Sequence, residues 1–169
     1  MNQTPIENSE TKSLPVKKIA FIAIFIALSA IGAMIKIPSP VGSIAFDSAP
    51  GYFCALAFGY LEGIVVIAAG HILTSGTAGF PLGLPLHLCI ALQMVLWATA
   101  IRWITVHFGL MAGSVITVLL NGVVSSFTMF FIGGIGAVWG IMPFLLGGSL
   151  ANILLAAIAY KAVSKSKLI

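Results

Sequence analysis

Charge is the property that this sequence has least of. Only 7% of its 169 residues are charged and 60% are hydrophobic, whereas a soluble domain typically carries about 25% charged residues. A chain this apolar cannot hide its hydrophobic surface from water, so the bilayer is its solvent. Its apolar runs are longer than the roughly ten-residue strands of a membrane barrel. The sequence therefore predicts an all-α integral membrane protein.

The common signatures of catalysis are also missing. The sequence has no GxxxxGK(S/T) loop for ATP, no HExxH motif for zinc and no GxSxG nucleophile elbow. Its two cysteines, Cys54 and Cys89, lie in apolar runs without CxxC spacing, so we expect both to be buried free thiols. These absences predict a protein that is not an enzyme and holds neither cofactor nor metal.

A basic patch interleaved with aromatic residues, the usual mark of nucleic-acid binding, is absent as well. The net charge of +4 comes mainly from lysines near the two ends of the chain. Such lysines are typical of the positive charges that flank membrane helices. Nucleic acid is therefore not an expected partner.

Six apolar runs predict a bundle of six transmembrane helices. Residues 1–16 are predicted to form a polar, mobile tail, and residues 17–169 a single membrane domain. Apart from Lys36, the lysines and the single arginine fall on one side of this bundle if both termini are cytoplasmic, as the positive-inside rule requires in a prokaryotic plasma membrane. The predicted helices cover about residues 19–35, 46–61, 64–78, 86–106, 110–132 and 141–163.

In this topology the loops after the first, third and fifth helices face the outside. They cover residues 36–45, 76–85 and 133–140 and hold most of the glycine and proline. Irregular backbone near the membrane is tolerated where it lines a cavity, so we predict a binding site that opens outward. Asp47 and Pro50 are interpreted as residues at the start of the second helix, where the macrodipole favours a carboxylate; for Asp47 a direct contact with a ligand is the alternative.

The first predicted helix carries a face of small residues. Ala20, Ala23, Ala27 and Ala30 recur at spacings of three and four, which places them on one side of a helix. Small residues let another helix approach closely. The spacing alone leaves two interpretations open, namely packing within the bundle and docking to a separate membrane protein.

Polar side chains inside apolar runs are the candidate binding residues. Asn121 and Ser125 share a helical face with Thr117 and Thr128, and an amide in hydrocarbon indicates a cavity or a helix partner. Gln93 and Trp97 also share a face and suit a flat heterocycle, although a core amide and an interfacial tryptophan are the alternative. The remaining candidates lie near the outer side or on the last helix: His71, His87, Trp139 and Asn152.

These features resemble the substrate-binding S components of energy-coupling factor (ECF) vitamin transporters. The likeness is carried by the pair Ala23 and Ala27, by the segments IKIPSPVGSIAFDSAP and LAFGYLEG, and by HILTSGTAGFPLGLPLH. It covers nearly the whole chain from about residue 17. The resemblance implies a six-helix bundle with a vitamin site near its outer face, covered by the loop after the first helix. It also implies that the alanine face docks to a transmembrane coupling subunit, which works with two ATPases, and that the S component topples to release its substrate inside.

The resemblance leaves the substrate open. The candidate binding residues are neutral, which favours a neutral, flat, hydrogen-bonding molecule, and the first residues lack the histidine of nickel and cobalt relatives. The overall likeness is to transporters of α-ribazole, a cobalamin precursor, while riboflavin, a thiamin precursor, pantothenate and a queuosine precursor remain possible. The alternatives are a stand-alone channel or secondary carrier, which would need more polar residues in the inner half, and an intramembrane enzyme built on the two histidines.

Overall fold

The computed structural model of the protein describes residues 13–39 and 42–166. Most of the predicted polar tail, residues 1–12, lies outside the described residues, and the first helix already begins at Ser13. The elements in chain order are α1 (Ser13–Gly32), β1 (Lys36–Ser39), β2 (Gly42–Ala45), α2 (Ala49–Ala57), α3 (Tyr60–Thr77), α4 (Leu84–Phe108), α5 (Leu110–Leu119), a π turn (Leu120–Val124), a 3-10 turn (Ser125–Met129) and α6 (Phe130–Lys165).

Three helical stretches of the described chain are long and apolar enough to cross a membrane: Tyr60–Thr77, Leu84–Phe108 and Leu110–Lys165. The third has 56 residues, so as one straight helix it would measure about 84 Å, far more than a hydrocarbon core of about 30 Å. It folds back on itself instead. Asn121 donates a hydrogen bond to Ser149, which places the two halves of this stretch side by side.

The reversal lies at two glycines rather than in a loop. Gly133 and Gly134 have non-helical backbone angles, with φ of 63° at Gly134, and the helix continues beyond them. The prediction of a loop over residues 133–140 and a helix from residue 141 is therefore wrong in its bounds. Glycine density indicated a break, but Ala137, Val138 and Trp139 have no obstacle to a helix once the chain has turned.

The predicted loop after the first helix is a β-hairpin. Strands β1 and β2 pair antiparallel, with Lys36 opposite Ala45. Helix α1 ends at Gly32, whose carbonyl accepts a hydrogen bond from the Phe46 amide at 3.3 Å. Gly32 also lies so close to the Phe46 carbonyl that a side chain there would collide with it. The hairpin is therefore folded back onto the end of α1.

The short helix α2 is the centre of the bundle. Its residues from Ala49 to Leu56 are buried apart from Pro50, and they contact α1, α3, α4 and α6. Close approach to α3 depends on Gly51 and Gly63, because a Cβ at either position would collide with the facing helix. Cys54 is buried here as predicted, whereas Cys89 is exposed on α4, which corrects the prediction of a second buried thiol.

Charged side chains of α1, α3 and α4 find partners near the end of α2. Lys18 Nζ lies 2.6 Å from Glu62 Oε1. Arg102 Nη1 donates hydrogen bonds of 2.7 and 3.1 Å to the carbonyls of Ala55 and Leu56, which end α2 and have no acceptor role within it. Glu62 and Arg102 therefore have partners within the protein. We call this cluster (Lys18, Glu62, Arg102 and the end of α2) the charged end of the bundle.

Candidate functional site

A cavity of about 860 Å³ lies next to the hairpin, near the start of α2, whereas the charged end lies near the end of α2. This volume lies within the range of about 300–1,000 Å³ that is usual for small-molecule sites. The hairpin, α3, α4, the π turn, the 3-10 turn and α6 all contribute to its wall. The polar residues of the wall are Lys36, Asp47, Ser48, His71, Thr74, Ser75, Thr77, His87, Asn121, Ser125, Ser149 and Asn152.

Two predicted histidines meet in this wall. His71 of α3 and His87 of α4 have ring centroids 5.4 Å apart, and His87 Nδ1 lies 3.3 Å from His71 Nε2. On its other side, His71 Nδ1 lies 3.7 Å from Asp47 Oδ2. Ser75 Oγ is also 3.3 Å from His71 Nε2. Asp47, His71 and His87 thus form a row that we call the histidine row.

Asp47 was predicted to cap the second helix, and the structure corrects this. The cap position of α2 belongs to Ser48, while Asp47 is 9% exposed, lines the cavity and faces His71. The cavity therefore contains a buried carboxylate that a neutral site would lack. Within the described ranges, no three His, Cys, Asp or Glu side chains converge in the manner of metal ligands.

Phe80 covers the histidine row from the loop between α3 and α4. Its ring meets the His87 ring edge-on, with centroids 5.6 Å apart. Its backbone has φ of 49°, a left-handed conformation that is costly for a bulky residue and recurs at ligand sites. A strained aromatic residue therefore packs against the imidazole of His87.

An irregular turn brings Asn121 and Ser125 to the cavity. The π turn widens the helix at Asn121 and the 3-10 turn tightens it from Ser125 onward; π turns are frequent at functional sites. Asn121 Nδ2 donates to Ser149 Oγ at 2.8 Å, and among the described residues its Oδ1 has no hydrogen bond. This amide therefore keeps an acceptor for a ligand.

Gln93 and Trp97, both predicted to contact a ligand, do not line the cavity. Gln93 Nε2 donates to Thr128 Oγ1 at 2.7 Å, and Trp97 Nε1 donates to Ser125 Oγ at 2.8 Å. These bonds join α4 to the 3-10 turn. Trp97 thus positions Ser125 and Gln93 positions Thr128, and the polar groups of both side chains are already used by the protein.

Asn152 lines the cavity, but its amide is occupied. Its Oδ1 accepts from the Ala49 amide at 2.9 Å, and its Nδ2 donates to the carbonyls of Ala45 and Gly148 at 3.0 and 2.9 Å. Both amide hydrogens are therefore used within the protein. Asn152 joins the end of the hairpin and the start of α2 to α6.

Trp139 lies on α6, is 63% exposed and does not line the cavity. The sequence predicts Trp139 in an outer loop, where it either closes a site or anchors the chain at the membrane interface; the segment is helical instead. Its exposed position on an apolar helix is typical of a residue that faces the lipid.

The cavity also contains apolar residues that the sequence did not single out. Three methionines belong to its wall: Met34, Met94 and Met129. Flexible thioether side chains adapt well to flat rings. No signal in the sequence distinguishes them, because a methionine in an apolar run has the same appearance whether it faces lipid or a cavity.

The predicted docking face is divided. Ala20, Ala23 and Ala27 are exposed on α1, whereas Ala30 is half-buried and lines the cavity. The opposite face of α1, including Phe25, packs against the core. Three of the four alanines are therefore on a face that the rest of the described chain leaves uncovered.

Comparisons with known proteins agree with this architecture. A family model described as "ECF-type riboflavin transporter, S component" matches residues 13–164. A solved structure, described as "Structure and mechanism of the S component of a bacterial ECF transporter", has a TM-score of 0.74 to this fold at 19% sequence identity. The match covers 92% of this chain and 99% of that chain, and at this identity it supports the fold alone. No curated protein sequence matched.

Proposed function

Because the chain belongs to the family of ECF-type riboflavin transporter S components, the substrate-binding membrane subunits of these importers, we propose that its cavity binds a flat nitrogen heterocycle that carries a hydroxylated chain. Riboflavin, after which the family is named, is the first compound of this class to test. The α-ribazole suggested by the overall likeness of the sequence is also a flat nitrogen heterocycle, with a hydroxylated sugar ring in place of the chain, and is its competitor.

The observation that carries this proposal is the composition of the cavity wall. Thioether and aliphatic side chains, among them Met94, Met129 and Ile141, offer apolar surface for a ring. Asn121 and Ser125 lie in the same wall and offer an amide and a hydroxyl to a polyol. A ligand pocket that is mostly apolar with a few polar groups is the usual arrangement for a small organic molecule.

We further propose that the hairpin acts as a lid. It belongs to the cavity wall through Lys36 and Ala45, and Asn152 joins its second strand to α6. Because β1 and β2 are paired, the lid moves as one unit about its base, where Ala45 is bonded to Asn152. Residues 40 and 41, at the tip of the predicted lid, lie outside the described residues.

Titration of the purified protein with riboflavin and with α-ribazole tests the ligand class. We expect one of the two to bind, and mass spectrometry of molecules that co-purify with the protein to identify a heterocycle of this class. Asn121→Leu should weaken binding at least tenfold, because a buried polar group of the ligand would lose its partner. Thr99→Val is the matched control, since Thr99 bonds only to its own helix at Val95. A co-purified molecule without a ring would refute the proposal.

The exposed alanine face is proposed to dock against a transmembrane coupling subunit. That subunit and two ATPases energise uptake, and the S component topples in the membrane to release its substrate inside. Ala23→Leu combined with Ala27→Leu should leave ligand binding intact and abolish co-purification with that subunit, because two larger side chains prevent close helix approach. Leu28→Ala, which alters another exposed position of α1, is the control. Ligand uptake into liposomes by this chain alone would favour the stand-alone carrier instead.

A further inference from the structure

One nitrogen of the histidine row has no partner in the part of the chain that the structure describes. His87 is 6% exposed, its Nδ1 contacts His71, and its Nε2 is buried with no hydrogen bond among the described residues. Thr74 Oγ1, from the same cavity wall, is also buried without a partner. Buried polar atoms are nearly always hydrogen-bonded, so this part of the wall is incomplete without a further molecule.

The order of groups in the row determines where the protons lie. A carboxylate accepts hydrogen bonds only, so beside an ionised Asp47 the favoured place for the proton of the His71 ring is Nδ1, the nitrogen 3.7 Å from Oδ2. With that proton on Nδ1, His71 Nε2 has only a lone pair, so its 3.3 Å contact with His87 Nδ1 is a hydrogen bond when His87 Nδ1 carries a proton. Since a neutral imidazole has one N–H, His87 Nε2 is left with a lone pair.

The reverse order is unfavourable for a neutral His71. A proton on His71 Nε2 would leave a lone pair on Nδ1, at 3.7 Å from the carboxylate oxygen of Asp47. Two acceptors facing each other in a buried site repel. Ser75 does not favour this order either, because its hydroxyl rotates and can donate to Nε2 as readily as accept from it.

We infer that His87 presents an unprotonated Nε2 that accepts a hydrogen bond from an N–H or O–H group of the bound molecule, and that Asp47 and His71 are positioning residues that fix this tautomer. This inference rests on the proposed function of the cavity. It gives the site a chemical preference: a ligand must bring a donor to this point. Riboflavin has a ring imide N–H, whereas the ring of α-ribazole has only an acceptor nitrogen and its donors are on the sugar.

The tautomers can be measured without any ligand. The chain has 3 histidines, so the imidazole nitrogens of the ¹⁵N-labelled protein in nanodiscs give few signals. His107 is an internal control, because its Nδ1 lies 2.7 Å from the Trp103 carbonyl and must carry the proton whatever Asp47 does. We expect Nδ1–H for all three histidines. Nε2–H on His87, with or without a doubly protonated His71, would overturn the inference.

Asp47→Asn tests the positioning role. An amide can donate to His71 Nδ1, which permits the reverse order of protons along the row. We expect a new Nε2–H signal from His87 in this variant and an unchanged His107. If the variant does not fold, Ser75→Ala, which leaves Asp47 in place, should retain the Nδ1–H form of both rings. A change of tautomer in Ser75→Ala would mean that the serine, not the carboxylate, sets the order.

Riboflavin is the probe for the ligand half of the inference. On its addition we expect the ¹⁵N signal of His87 Nε2 to move in the direction of a hydrogen-bonded acceptor while that of His107 stays unchanged. Binding without any movement of the His87 signal would overturn the inference. If riboflavin does not bind at all, the proposed ligand is wrong, and titration with α-ribazole then tests whether His87 Nε2 accepts a hydrogen bond from a sugar hydroxyl. The tautomers of the free protein show whether the inference about His87 fails independently of the choice of ligand.

Discussion

The two ends of the bundle treat their polar groups in opposite ways. At the charged end, Lys18 and Glu62 pair with each other, and Arg102 is bonded to the carbonyls that end α2. At the cavity end, polar atoms of His87 and Thr74 are buried without partners among the described residues. An unpaired buried polar group costs about 1–3 kcal/mol. Other buried hydroxyls of the described chain also lack a partner, so what distinguishes His87 and Thr74 is their place in the cavity wall.

The difference separates stability from recognition. Groups that are satisfied within the protein hold helices together and offer nothing to a ligand. Groups that are left unsatisfied can bind a ligand but lower the stability of the empty protein. Asn152 and Asn121 show that both kinds occur in one cavity: the amide of Asn152 is used by three backbone groups, and that of Asn121 keeps a free acceptor.

Asn152→Leu is expected to have the largest effect on stability, because Asn152 joins the hairpin and the start of α2 to α6. The substitution removes three hydrogen bonds and leaves the buried Ala49 amide without a partner. We expect a loss of about 3 kcal/mol or more in the free energy of unfolding, measured by thermal unfolding in detergent. Ligand affinity should fall too, since the hairpin loses its bond to α6.

Leu154→Ala is the control for that variant, because Leu154 is exposed on the same helix and changes α6 without touching the hairpin. If Asn152→Leu unfolded like the control while ligand affinity fell, Asn152 would be a ligand contact instead. In that case the amide of Asn152 would also serve ligand binding. The contrast with the charged end, where the polar groups are bonded within the protein, would then be sharper.

Arg102→Met is expected to have the next largest effect, this time at the charged end. The carbonyls of Ala55 and Leu56 lose their donor, and Tyr60 loses the guanidinium that lies 5.3 Å from its ring centroid. We expect a loss of about 2 kcal/mol in thermal unfolding, with ligand affinity unchanged. A variant that bound ligand more weakly at equal stability would contradict the separation of the two ends.

Predicting from the sequence succeeded where a residue type is rare in its surroundings. Polar groups in hydrocarbon must face inward, so His71, His87, Asn121 and Ser125 were recognisable as cavity candidates, and all four line the cavity. The helical fold and the family likeness followed from composition and from segments spread over the chain. The family match confirms the likeness.

Predicting failed where a side chain's partner is distant in the sequence. The amide of Asn152 is bonded to a backbone group 103 residues away, so the sequence revealed an asparagine but not that its hydrogen bonds were taken. Gln93 and Trp97 failed for the same reason. Asp47 was interpreted locally, as a cap, because its partner His71 lies on another helix. Trp139 was misplaced because glycines indicate a break without indicating its length.

Lys18→Met is expected to have the smallest effect. The ion pair with Glu62 is short, at 2.6 Å, but the Lys18 side chain is 49% exposed, and water screens such a pair, so we expect a loss of at most about 1 kcal/mol in the free energy of unfolding. Lys17→Met, which removes the same charge from the neighbouring exposed residue, is the control. Thermal unfolding at low and high salt should show a small difference between the two variants that vanishes at high salt. A loss as large as that of Arg102→Met would mean that Lys18, Glu62 and Arg102 act as one network. The charged end would then be as cooperative as the base of the cavity.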